Sequence, residues 1–157
     1  MKKFVLGLII AFLAPFSISA SDVLQYDVEC GGAISKEGCY MIKVWVYSAN
    51  KKVTPEELKK AAVHGTLFRG VSASGDCQSF KPLAGSALAE QQHKDFFHAF
   101  FGADNLYLSY VTLADTPYEY IKVSKKYKVG TIAIVSKDAL RKDLEKAGII
   151  RGLSTGF

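Results

Sequence analysis

The sequence predicts a single α+β domain: a mixed, mainly antiparallel sheet of about five or six strands with three helices. Three observations carry that expectation. Residues 40–48, YMIKVWVYS, place Ile42, Val44 and Val46 on one face of a strand and Met41, Lys43, Trp45 and Tyr47 on the other, and a helix start signal follows at Thr54. Three further strand-like runs, NLYLSYVTL, PYEYIKVS and KYKVGTIAIVS, crowd the last third with turn-type breaks between them, a spacing that favours antiparallel neighbours. No internal repeat, low-complexity tract or linker divides the chain.

The elements follow in order. VLQYDVEC reads as a short first strand, and the loop after it is punctuated by Gly31, Gly32 and Gly38. YMIKVWVYS is apolar on both faces, which marks a central strand. The next helix opens with Thr54 as N-cap, Pro55 at the first helical position and Glu57 closing a capping box. Its stripe of Leu58, Ala61, Ala62 and Gly65 is narrow and small, suited to lying close on a sheet. Gly65 is expected as the left-handed C-cap, with His64 in the last turn facing the negative end of the helix dipole, and TLFRGV, 66–71, as a compact strand. Residues 72–86, SASGDCQSFKPLAGS, are the best candidate for a mobile loop.

A second helix is expected from about Ser86 to Phe101, ended by Gly102, with Phe96, Phe97, Phe100 and Phe101 as a core anchor and His93, Ala89 and Leu88 extending their face. Ser136 caps a third, KDALRKDLEKAG, with Leu140, Leu144 and Ala147 inward and Gly148 at its end. The tail, IIRGLSTGF, either packs back on the domain or stays exposed for a partner.

Residues 1–20, MKKFVLGLIIAFLAPFSISA, run from two lysines through an apolar stretch to small residues ending at Ala20, the layout of a secretory signal peptide cleaved there. A spanning anchor is the competing reading, but Pro15, Ser17 and Ser19 cut the apolar run below the ~18 residues a bilayer core demands. No lipid-attachment cysteine sits at the cleavage point. The expectation is an exported protein, periplasmic or secreted, with no transmembrane anchor after cleavage and with residues 21–157 forming the one domain. Lys2 and Lys3 leave with the leader, so the mature chain keeps 18 of the 20 basic residues against 15 acids, a net charge of +3. That excess is too small, and its lysine pairs too scattered, to argue for nucleic acid.

Three cysteines remain, and in the oxidising compartment that export implies one disulfide can form with one thiol left over, whereas an anaerobic lifestyle could leave all three reduced. Cys30 with Cys39 would close the loop GGAISKEG, while either of them with Cys77 would tie the first strands to a later loop. Cys77 with His64 or His98 would be the minimal catalytic dyad of a hydrolase, but GDCQ matches no protease-type signature. There is no GxSxG, and the glycines match neither phosphate-binding spacing. A metal site is a poor fit: no CxxC or HExxH occurs, and His93 and His98, five apart on one helix, would point about 140° away from each other. No cofactor is expected. Tyr107, Tyr110, Tyr118, Tyr120 and Tyr127 could form a sugar- or peptide-binding surface, though amphipathic cover for the sheet is the simpler reading.

The segments AAVHGTLFRG, EQQHKDFF, KYKVGTIAIVSKDALRKDLEKAGIIRG and the closing GF resemble an uncharacterised family of small exported bacterial proteins of the cell envelope. The order of elements is similar to periplasmic domains of envelope lipoproteins and of flagellar or Tol-type assembly factors, without the lipidated cysteine of the lipoproteins. Neither resemblance implies a catalytic residue. The expectation is therefore a non-enzymatic envelope protein that binds another protein or a surface polymer, with residues 72–86 and the tail as contact elements. The rival is an exported hydrolase using Cys77 with His64 or His98.

Overall fold

The computed structural model describes residues 24–32, 37–75, 77–102 and 104–152. Residues 1–20, where a signal peptide is expected, and the last residues of the tail lie outside them. The chain runs β1 (Tyr26–Cys30), β2 (Tyr40–Ser48), α1 (Pro55–Phe68), α2 (Leu88–Gln92), α3 (Lys94–Phe101), a 3-10 turn (Leu106–Tyr110), β3 (Val111–Leu113), β4 (Glu119–Val123), β5 (Lys126–Val135) and α4 (Lys137–Lys146). The five strands form one antiparallel sheet in the order β1–β2–β5, with β3 and β4 pairing with successive stretches of the far side of β5. The architecture is the α+β domain expected, with the predicted second helix divided in two. Among the described residues no helix is long and apolar enough to cross a membrane.

β2 is an inner strand because both of its faces can be covered. Val28, Val44 and Thr131 stand in register, as do Tyr26, Val46 and Val129, and this side meets the helices in a single core with Leu58, Ala62, Leu67, Phe97, Leu140 and Leu144. The other side is sealed by its own side chains. Trp45 lies against Gly130, where a Cβ would collide with the indole, and only 4% of it is exposed. The ammonium groups of Lys43 and Lys128 sit 4.7 Å and 5.3 Å from its ring centroid, and each is held by a carboxylate, Glu119 at 2.7 Å and Asp27 at 2.9 Å. The aliphatic stems cover the indole while the charges stay wet.

α1 starts as expected, with Thr54 accepting from the Glu57 amide and Glu57 accepting from the Thr54 amide. It does not end at Gly65. The helix continues through TLF to Phe68, so residues 66–68 are helical rather than a strand. Gly65 is buried mid-helix, and Gly70, at φ +70°, turns the chain while its amide donates to the Gly65 carbonyl at 2.9 Å. A glycine inside a helix costs about 1 kcal/mol against alanine. Here it permits contact: a Cβ on Gly65 would come 2.5 Å from Val28 Cγ1 and 3.3 Å from the Tyr26 ring.

Residues 72–86 are fastened at several points. Val71 pairs with Phe80 and Ser74 with Cys77, and the amides of Leu83 and Ala84 donate to the carbonyls of Thr66 and Leu67. The segment therefore caps the last turn of α1, whose carbonyls have no partner within the helix. The expected helix from Ser86 breaks at His93, whose backbone (φ −118°, ψ 37°) leaves the helical region, and Leu88 points outward, 62% exposed. Phe97, Phe100 and Phe101 are buried and Phe96 is half-buried. LYLSY forms a 3-10 turn because Tyr107 is drawn into the core and Tyr110 donates to Asp143 at 2.8 Å, leaving only Val111–Leu113 to pair with β5. α4 buries Leu140 and Leu144 but leaves Ala147 exposed, beyond its last turn. Ile149 and Ile150 pack against the core.

Gly65→Ala is expected to lower stability by about 1–3 kcal/mol through overpacking against Val28 and Tyr26, despite the better helix propensity of alanine. The readout is a lower urea midpoint at unchanged slope; a raised midpoint would mean that α1 does not need its close approach to β1.

Candidate functional site

His64 stands at the wall of a cleft of about 670 Å³ between α1, β1 and the α2–α3 pair. Each wall follows from its local structure. Lys60 and His64 are four apart on α1 and so share a face. The break at His93 turns α3 relative to α2, and Glu90, Lys94, Phe97, His98 and Phe101 all line the cleft. β1 contributes Tyr26, with Leu24 just before it, and Arg69 follows the last turn of α1.

The ring of His64 is held at both nitrogens. Tyr26 Oη lies 2.6 Å from Nδ1, and Nε2 lies 3.1 Å and 3.2 Å from the two carboxylate oxygens of Glu90. Burial pushes the Tyr26 phenol up to about 12, opposed by Arg69 and aided by Glu90. The phenol therefore keeps its proton at neutral pH and donates it to Nδ1, which leaves the ring hydrogen on Nε2 to be donated to Glu90. Phe68, Tyr26 and Phe101 surround the imidazole at 4.7, 5.5 and 5.5 Å between centroids. Arg69 stacks over the ring of the same tyrosine at 4.0 Å and donates to the Tyr26 carbonyl.

Burial lowers the pKa of His64, the Glu90 charge and hydrogen bond oppose that, and Arg69 and Lys60 add to it; the net direction is downward. The imidazole is neutral at pH 7 and has no lone pair or proton left for a substrate. What the cleft does offer is charge: Lys60, Arg69 and Lys94 face it against one carboxylate, Glu90, which is already bonded to His64. Phe97, Phe101 and Leu24 supply its apolar lining.

The cysteine candidates lie elsewhere. Cys77 is joined to Cys30, with Cα atoms 6.0 Å apart, and Cys39 is a buried free thiol. Cys77 lines a separate hollow with Tyr40, Met41 and Phe80. His64 and His98 share the larger cleft with each other but not with Cys77. Among the described residues no group of three or more His, Cys, Asp or Glu side chains is placed to hold a metal ion. The tyrosines of the last third divide: Tyr107 is buried, Tyr110 is tied to Asp143, and Tyr120 and Tyr127 sit beneath the ammonium of Lys51 at 5.7 and 4.9 Å.

Sequence reasoning placed His64 at a helix end and missed its two partners, which are 38 and 26 residues away. Because His64 titrates below its ordinary value near 6.5, the unfolded chain takes up the proton first on acidification. The His64 contribution is thus complete above that value and is lost as pH falls through the folded one. The urea midpoint should fall between about pH 7.5 and about pH 5.5, and fall less in His64→Gln; equal slopes would mean that His64 does not carry the effect.

No family model, no curated protein and no solved structure matches the chain, so no relative bears on the exported-family resemblance.

Proposed function

We propose that the chain is an exported cell-envelope protein that binds a partner, another envelope protein or a surface polymer, and performs no chemistry on it. The observation that supports this most is the commitment of its reactive groups. His64 meets a phenol and a carboxylate, the arrangement from which a triad could be built, yet both ring nitrogens are engaged and the phenol is buried with its pKa raised. A nucleophile needs a base with a free lone pair beside it. The sulfur of Cys77 is bonded to Cys30 and so offers no thiolate, and it shares no hollow with a histidine. A closed disulfide also suits the oxidising compartment that the leader-like segment implies.

Export leads to one experiment on the mature protein. Its intact mass should lack residues 1–20, and alkylation should label no thiol in the native state, one after denaturation and three after reduction. A fast-reacting native thiol at Cys77 would favour the hydrolase instead. Retention of the leader in fractionated cells would remove the export half of the reading.

A further inference from the structure

We infer that the His64 cleft binds a single-chain amphiphile with an anionic head, a long-chain carboxylate, the head at the Lys60 and Lys94 rim and the chain along Phe97, Phe101 and Leu24. This goes beyond the reading above, which concerns a macromolecular partner, and shares with it only the claim that His64 is not a catalyst.

Three features of the cleft select this ligand. The first is size, since about 670 Å³ falls in the range of small-ligand sites. The second is the charge pattern. Lys60, Lys94 and Arg69 outnumber the one carboxylate, and Glu90 has its oxygens on His64 Nε2, so the residual field favours an anion. Arg69 is already stacked on Tyr26 and bonded to its carbonyl, so a compact head would meet the ammonium groups of Lys94 and of Lys60, the latter 5.9 Å from the Phe101 ring centroid, as point charges.

The third is what the walls lack. α1 and α3 bond their interior backbone groups within their own turns, the amides of Ala89, His93 and Phe97 donate to carbonyls of the same α2–α3 segment, and the Tyr26 carbonyl of the edge strand β1 accepts from Arg69, so an extended peptide laid against these walls would find few partners for its amides and carbonyls. An acyl chain carries no such groups. It needs only apolar surface, which half-buried Leu24 and the narrow exposed edges of Phe97 (2%) and Phe101 (8%) provide. His64 serves here as a wall: hydrogen-bonded at both nitrogens and ringed by Phe68 and Phe101, it joins the apolar floor to the polar rim without leaving a buried group unpaired.

The test is equilibrium dialysis of the mature protein with hexadecanoate below its aggregation concentration, at low ionic strength. One molecule should bind per chain, with dodecanoate and hexadecan-1-ol each weaker by about tenfold or more. The double variant Lys60→Glu/Lys94→Glu should lose about tenfold in affinity. Lys142→Glu, an exposed lysine of α4 that does not line the cleft, should lose none. Absence of saturable binding would overturn the inference and leave the binding reading standing. Equal loss in Lys142→Glu, or tighter binding of an acidic peptide at the same lysines, would also overturn it. Hydrolysis of a 4-nitrophenyl ester of the same chain, abolished in His64→Gln, would overturn the inference and the non-catalytic reading together.

Discussion

The contact between Gly65 of α1 and Val28 and Tyr26 of β1 is the constraint on which the rest of the molecule depends. A helix can approach a strand closely only where it presents hydrogen or methyl groups, and α1 offers Ala61, Ala62 and Gly65 along its sheet-facing side. With the helix seated there, the neighbouring residue His64 falls within hydrogen-bond reach of the Tyr26 phenol. Arg69, at the helix end, falls over the face of that ring. The cleft is thus a by-product of one close approach, and the helix-propensity cost of an interior glycine, about 1 kcal/mol, is small beside the packing it allows.

The end of α1 is secured by a segment that looks unstructured by composition. Residues 80–84 return across the last turn and donate two amides to its carbonyls, while the Cys30–Cys77 bridge ties the same segment to β1. A crosslink spanning 47 residues removes loop entropy from the unfolded chain worth about 4 kcal/mol in the chain-entropy picture. That is a large share of the stability of a domain this size. The polar character of the segment reflects the exposed side chains of Ser72, Ser74, Gln78, Ser79 and Lys81, whereas the backbone of Leu83 and Ala84 performs the capping.

The His64 network shows how a polar cluster can resemble a catalytic one without its chemistry. Phenol, imidazole and carboxylate lie in line, but low local dielectric raises the phenol pKa and lowers that of the imidazole, and each group satisfies the next. A fully satisfied buried network rigidifies a wall. Beside it stand Lys60, whose ammonium lies 5.9 Å from the Phe101 ring centroid, and Lys94, which give the cleft its excess of positive charge over Glu90.

Much of the architecture was legible from residue patterns: the central strand from its two apolar faces, the start of α1 from its capping box, the phenylalanine anchor, and the antiparallel run at the end. Local chemistry decides these, because caps and period-two alternation act over a few residues. The misplaced boundaries share a different cause. Gly65 satisfies the rule for a helix stop, and only its proximity to Val28 explains why the helix passes through it to Gly70. NLYLSY has the composition of a strand, but burial of Tyr107 and the bond from Tyr110 to Asp143 hold it as a 3-10 turn. The sequence by itself determined which segments could fold and how most of them begin. The tertiary structure alone decided that Tyr26, His64 and Glu90 meet and that Cys30 closes on Cys77, because contacts between residues tens of positions apart depend on how the helices seat on the sheet, which no local pattern encodes.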